Sequence, residues 1–155
     1  MENLLADLAR EHALGALFLT AFLAATLLPL GSEWLLALLI LQGQPALSAV
    51  LVAGAGNTLG AATNYLIGWG GERWWRHRPH PPRQLARLER AQTLMGRYGG
   101  WALLFSWLPV VGDPLCVVAG ALRFPLLPFV LIVAVGKLGR YAFLAWATQQ
   151  AAGLW

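Results

Sequence analysis

Apolar residues gather in four long runs, at 13–41, 46–70, 101–122 and 126–147, with few polar positions inside them. The second and fourth read as complete transmembrane helices. At about 1.5 Å per residue, either covers the ~30 Å hydrocarbon core of a bilayer. Both carry small residues, Gly54, Gly56 and Gly60 in one and Gly136 and Gly139 in the other, which let helices approach closely in lipid.

The first and third runs are each interrupted near the middle by proline, glycine and an acid. The first reads Pro29-Leu30-Gly31-Ser32-Glu33 and the third Pro109-Val110-Val111-Gly112-Asp113-Pro114, sequences that do not continue an α-helix. The third break leaves roughly 12 Å of helix on each side, too short for either half to cross. A re-entrant hairpin is expected there; the first run is compatible with a hairpin or with a kinked, tilted span. In each copy the acid follows the first proline by four residues, and Pro29 precedes Gly56 by the same 27 residues that separate Pro109 from Gly136. The chain therefore reads as an all-α integral membrane protein of two repeats, about 13–70 and 99–148, joined by a segment at 71–98. Each repeat is a broken segment followed by one span. The second copy enters the membrane inverted, as in transporters whose broken helices meet at the midplane.

Composition agrees with lipid as the solvent: 58% of residues are hydrophobic, 12% are charged and the mean hydropathy is +0.59, against about 45–50% and 25% in soluble domains. One membrane domain fills residues 1–155. Glu2, Asp7 and Glu11 against Arg10 give the first residues the wrong sign for a signal peptide, so this stretch is expected to be retained. The single cysteine, Cys116, allows no internal disulfide and no cysteine metal site. Charge is concentrated in 72–98, where seven arginines face two glutamates. The positive-inside rule makes this linker cytoplasmic, with Trp69, Trp74, Trp75 and Trp101 flanking it at headgroup level. Its position between membrane runs points to topology control and anionic headgroup contact, with no nucleic-acid partner. Leu85, Leu88, Gln92 and Met95 fall on one face of 84–98, as in a short interfacial helix.

Glu33 and Asp113 are the first candidates for chemistry, because an ionised carboxylate in hydrocarbon costs about 2.5–3.5 kcal/mol even on lenient scales. Both can be read as helix caps, Asp113 with Pro114 at the first helical position and Ser32 or Glu33 ahead of Trp34. They can equally face each other at the midplane and bind a proton or a cation. Lys137 and Arg140 lie three residues apart on one face of the last span, beside Tyr141, and offer an internal partner. A lipid phosphate competing for Lys137, Arg140 and Arg123 would release the carboxylates to take up protons. Asn57 and Asn64 share a face of the second span and suit interhelical hydrogen bonds. His77 and His80 lack a third ligand, so no metal or other cofactor is expected. Ser32 and Ser106 lack a nucleophile motif and an intramembrane base, so no enzyme is expected either.

The residues Gly56-Asn57-Thr58-Leu59-Gly60 with Thr63-Asn64, the stretch 106–116 running on to Ala119-Gly120, and Gly136-Lys137 with Arg140-Tyr141 resemble the YqaA branch of the DedA superfamily, whose members carry the VTT (SNARE-associated) domain. The resemblance implies two re-entrant hairpins of opposite orientation. It also implies a role in moving lipids between leaflets, such as phospholipid scrambling or return of undecaprenyl phosphate, with a link to protons in some bacterial members. Glu33 matches the acid of the family's first hairpin, and Pro109 with Ala119-Gly120 the frame of the second. Larger members carry arginine where this chain has Ser106 and Gly112, and an aspartate where it has Ala61.

The expected function is transport or scrambling of an anionic or phosphate-bearing lipid in a bacterial inner membrane, in a chain small enough to suit a homodimer. The rivals are a proton-coupled exporter of small solutes and a non-transporting assembly protein. Reporter fusions test the architecture: two hairpins put both termini opposite the basic linker, and two spans put both on its side. Termini on different sides would refute the matched repeats.

Overall fold

The computed structural model describes residues 2–26, 31–75, 82–108 and 111–153. Pro29, Pro109, His77, His80 and the arginines at 76 and 78 lie outside them. The order is α1 (Glu2–Thr26), α2 (Glu33–Leu41), α3 (Ala46–Trp75), α4 (Pro82–Tyr98), a 3₁₀ segment (Gly99–Trp107), α5 (Gly112–Ala121) and α6 (Leu126–Ala152). All regular structure among the described residues is helical. Two stretches, Ala46–Gly71 and Leu126–Ala152, are long and apolar enough to cross a membrane. Only 22% of the apolar window of α6 is buried by the rest of the protein, so its outer face of Leu127, Leu131, Val135 and Phe143 is not that of a soluble core helix.

The first apolar run forms two separate helices. Asn57 and Asn64 of α3 donate to the carbonyls of Ala21 and Ala25 of α1, so α1 and α3 run in the same direction. α2 must then double back between them, and Leu39, Gln42 and Gln44 accordingly line one small cavity with Arg10 and Ala13. The third run behaves likewise. The 3₁₀ segment runs parallel to α6, Leu104 lying against Gly136 and Trp107 against Arg140. α5 returns, so that Phe124 beyond its end meets Gly100 at the start of the segment. Where helix was expected before Pro109, the chain instead takes the 3₁₀ form, whose ~2.0 Å rise stretches nine residues to about 18 Å.

Both return helices end in the same turn. Gly43 and Gln44 donate to Ile40 and Leu39, and Arg123 and Phe124 to Gly120 and Ala119, the paired bonds of a Schellman cap. Gly43 and Arg123, eighty residues apart, both take positive φ, 89° and 54°. Pro45 and Pro125 follow and accept the first hydrogen bonds of α3 and α6. The packing is reciprocal as well: α3 lies against α1 and α5, α6 lies against the 3₁₀ segment and α2, and α3 and α6 touch each other. Tyr65 meets Phe129 and Gly54 meets Leu138, so α3 and α6 are antiparallel. Two apolar clusters result, one around Leu17, Leu36, Ala53 and Tyr141 and the other around Tyr65, Leu103, Leu115 and Phe129.

α4 is the expected helix. Of the face expected on it, Met95 is buried, with Ala91, where the helix packs on α5 and the 3₁₀ segment, and Gln92 is exposed; the side chains of Leu85 and Leu88 lie outside the described residues.

Glycine sets the closest approach. A Cβ on Gly120 would stand 1.9 Å from the carbonyl oxygen of Tyr65, and one on Gly68 2.0 Å from that of Val117, so α3 and α5 meet backbone to backbone. Gly120→Ala is expected to cost about 3 kcal/mol by overpacking. Gly139→Ala, with open space around it, should stay within about 0.5 kcal/mol. Thermal unfolding of the two purified variants checks the difference.

Candidate functional site

Between the two apolar clusters lies a layer of polar side chains built on α6. Its positions 137, 140 and 141 project toward three neighbouring elements. The Lys137 ammonium donates to Asn57 Oδ1 on α3, and Asn57 in turn donates to Ala21 of α1 at 3.0 Å. Lys137 and Asn57 are 4% and 6% exposed, so an amide carbonyl is the hydrogen-bond partner of a buried cation. The two residues are eighty positions apart, the same interval as the matching turns. Since α3 and α6 cross antiparallel there, each touches its own counterpart. Asp113, in the first turn of α5, is within electrostatic reach of Lys137.

Arg140 serves both broken segments. One guanidinium nitrogen forms an ion pair with Glu33 at the start of α2, and another donates to the Trp107 carbonyl at the end of the 3₁₀ segment, at 3.1 Å. Tyr141 shares a 2.5 Å hydrogen bond with Ser32. The side chain of Glu33 folds back across Gly31, where a Cβ would overlap the carboxylate; glycine there leaves room for the pair. Gly112 is as constrained, its Cβ position lying 2.1 Å from the Ser106 carbonyl oxygen.

Capping is not what holds the two acids. The N-cap positions are Ser32 and Val111, neither with a side-chain cap bond. Ser32 spends its hydroxyl on Tyr141, and Glu33 and Asp113 sit one and two residues further on. At those first-turn positions both still complement the helix N-terminus, but the cations of α6 are the nearer attraction. Pro114 follows Asp113 within that first turn. Asn64 joins α3 to α1 through Ala25 at 2.7 Å and does not reach the central layer.

Of the expected residues, Glu33, Asp113, Lys137, Arg140, Tyr141 and Asn57 are thus brought together. Arg123 is not. It sits exposed in the turn after α5, and the eleven residues from the start of α6 to Lys137 put about 16 Å between them. Sequence reasoning missed the Trp107 carbonyl, whose role depends on where the chain turns. It also missed the Ser106 and Thr58 hydroxyls, buried without a hydrogen-bond partner.

The Glu33–Arg140 pair is partly exposed, its side chains 26% and 23% accessible. A groove of about 470 Å³ is lined by Leu104, Trp107, Val135, Gly139, Phe143 and Arg140. A largely apolar groove with one cation in its lining suits an amphiphile with an anionic head.

Helical throughout its described residues, with two candidate spans among them and a charged layer, the chain has the form of a helical membrane protein, and the VTT domain family matches it over residues 13–150. The chain belongs to that family, the DedA family. It is 40% identical over 145 residues to the inner membrane protein YqaA of Escherichia coli K12, covering 92% of this chain and 96% of the relative. YqaA of Shigella flexneri matches equally. An uncharacterized protein of Haemophilus influenzae is 38% identical over 148 residues, covering 90% of this chain and 89% of that one. No solved structure matches.

Removing the acceptor of a buried cation is costly, since hydrogen bonds to charged groups are worth about 1.5–3 kcal/mol. Asn57→Ala is expected to destabilise by about 2–3 kcal/mol, and adding Lys137→Met to recover most of the loss. A double-mutant cycle on thermal unfolding measures that coupling.

Proposed function

We propose that this chain is a multi-pass inner-membrane protein that moves an anionic, phosphate-bearing lipid between leaflets. In this reading α1 with α2, and the 3₁₀ segment with α5, are re-entrant hairpins of opposite orientation. α3 and α6 are the two crossings, both termini face the periplasm, and the basic linker is cytoplasmic. The reading is supported by the eighty-residue match of the two return turns, by reciprocal packing, and by return helices of nine and ten residues, too short to cross. The inner-membrane location follows the named relatives.

The observation that carries the function is Arg140, held by both broken segments and lining an open, largely apolar groove. An anion arriving along that groove competes with Glu33 for the guanidinium, which binds phosphate with two parallel hydrogen bonds. The released Glu33 takes up a proton rather than stand uncompensated in a low dielectric. Lys137 and the α2 and α5 N-termini add positive potential to the same layer, and Asp113 offsets Lys137.

Reconstitution into liposomes with labelled phospholipid or polyprenyl phosphate tests this. Wild type should exchange label between leaflets, and Glu33→Gln should fold yet slow exchange at least tenfold, about 1.4 kcal/mol in barrier. A folded wild type that moves neither lipid would favour export of small solutes. Loss of folded protein in Glu33→Gln without loss of specific activity would favour a structural ion pair.

A further inference from the structure

Arg123, set apart from the central layer, belongs to a second basic surface. Phe124 packs against Gly100, which follows Arg97 by three residues, so the turn after α5 and the end of α4 lie side by side. Arg83, Arg90 and Arg97 recur every seven residues along α4, forming a slowly drifting stripe about 21 Å long. All three are exposed, as is Arg123. Among the described residues no carboxylate pairs with any of them. Glu89 has Ala86, Gln92 and Thr93 at its helical neighbour positions and reaches none of the stripe. Arg97 lies over the Tyr98 ring at 5.5 Å.

A second observation sets the depth of this surface. Trp69, Tyr98 and Trp101 are 54%, 45% and 73% exposed, and all lie at the same end of the molecule. Trp69 borders Gly120, and Tyr98 and Trp101 flank Gly100. Exposed indole and phenol rings at the end of an apolar helical body mark the headgroup level. Arg97 and Arg123 stand at that level, and Ala91 and Met95 beside the stripe are buried in protein, so the exposed arginines present charge there.

We propose that Arg83, Arg90, Arg97 and Arg123 form a docking surface for the anionic phospholipid headgroups of the adjoining leaflet, separate from the central layer and independent of what that layer carries. Each arginine near an anionic surface adds electrostatic attraction to it, and Arg97 and Arg123 sit together through the Gly100–Phe124 contact. Since α4 packs on the 3₁₀ segment and α5, lipid held there braces the second hairpin.

The test titrates the purified full chain in detergent with phosphatidylglycerol, phosphatidylcholine or inorganic phosphate while following thermal unfolding. Phosphatidylglycerol should raise the unfolding temperature with an apparent affinity at least about tenfold above that of phosphatidylcholine, weakening in high salt. Arg97→Gln with Arg123→Asn should remove most of the preference; asparagine tolerates the left-handed conformation of that turn. If the double variant fails to fold, Arg123→Asn alone should retain fewer phosphatidylglycerol molecules than wild type in native mass spectrometry. Equal shifts by both lipids, an undiminished preference in the variants, or a full shift from inorganic phosphate alone would overturn the proposal.

Discussion

A bilayer core supplies no water, so polar groups freed where a helix breaks inside it must be met by the same protein. In the proposed placement, α6 meets that demand for both breaks. Arg140 takes the Trp107 carbonyl on one side and Glu33 on the other, and Tyr141 takes Ser32. The rest of the architecture follows from bringing two broken segments to one helix. α2 and α5 must return rather than continue, and each must lie across the span of the opposite half.

That crossing needs backbones closer than most side chains allow, which explains where the glycines fall. Gly56 and Gly60 admit the carbonyls of Phe18 and Phe22 from α1, and Gly68 and Gly120 admit each other's helices. Without a hydrophobic force between helices in lipid, such contact supplies the dispersion energy that holds them together. Two apolar clusters are thereby sealed on either side of the polar layer. Lys137 lies between them, donating to Asn57 with Asp113 within electrostatic reach.

Charge is divided between two depths. In the middle, cations and acids are balanced and partly hidden, as suits groups that exchange partners. Toward the Trp69 and Trp101 end, Arg97 and Arg123 are exposed, and among the described residues no acid pairs with them, as suits contact with a surface that is itself anionic. Members of the VTT domain family with arginine at the positions of Ser106 and Gly112 would carry cations on the second hairpin. In this chain Gly112 leaves no room for a side chain, and Arg140 reaches the same region from α6.

The sequence by itself determined the helical class, the two spans, the two breaks and the matched spacing, because each is written in local runs of apolar residues punctuated by proline, glycine and acid. It also marked Glu33, Asp113, Lys137 and Arg140, since charge inside an apolar run is conspicuous wherever it folds. Partners were another matter. Ser32 with Tyr141 and Asn57 with Lys137 are 109 and 80 residues apart, and nothing local encodes which cation an acid will face. Arg123 reads as a third cation of the site, but the turn after α5 carries it to the start of α6, away from Lys137 and Arg140. Those assignments depend on which elements pack together, a property of the whole chain that only the tertiary structure decided.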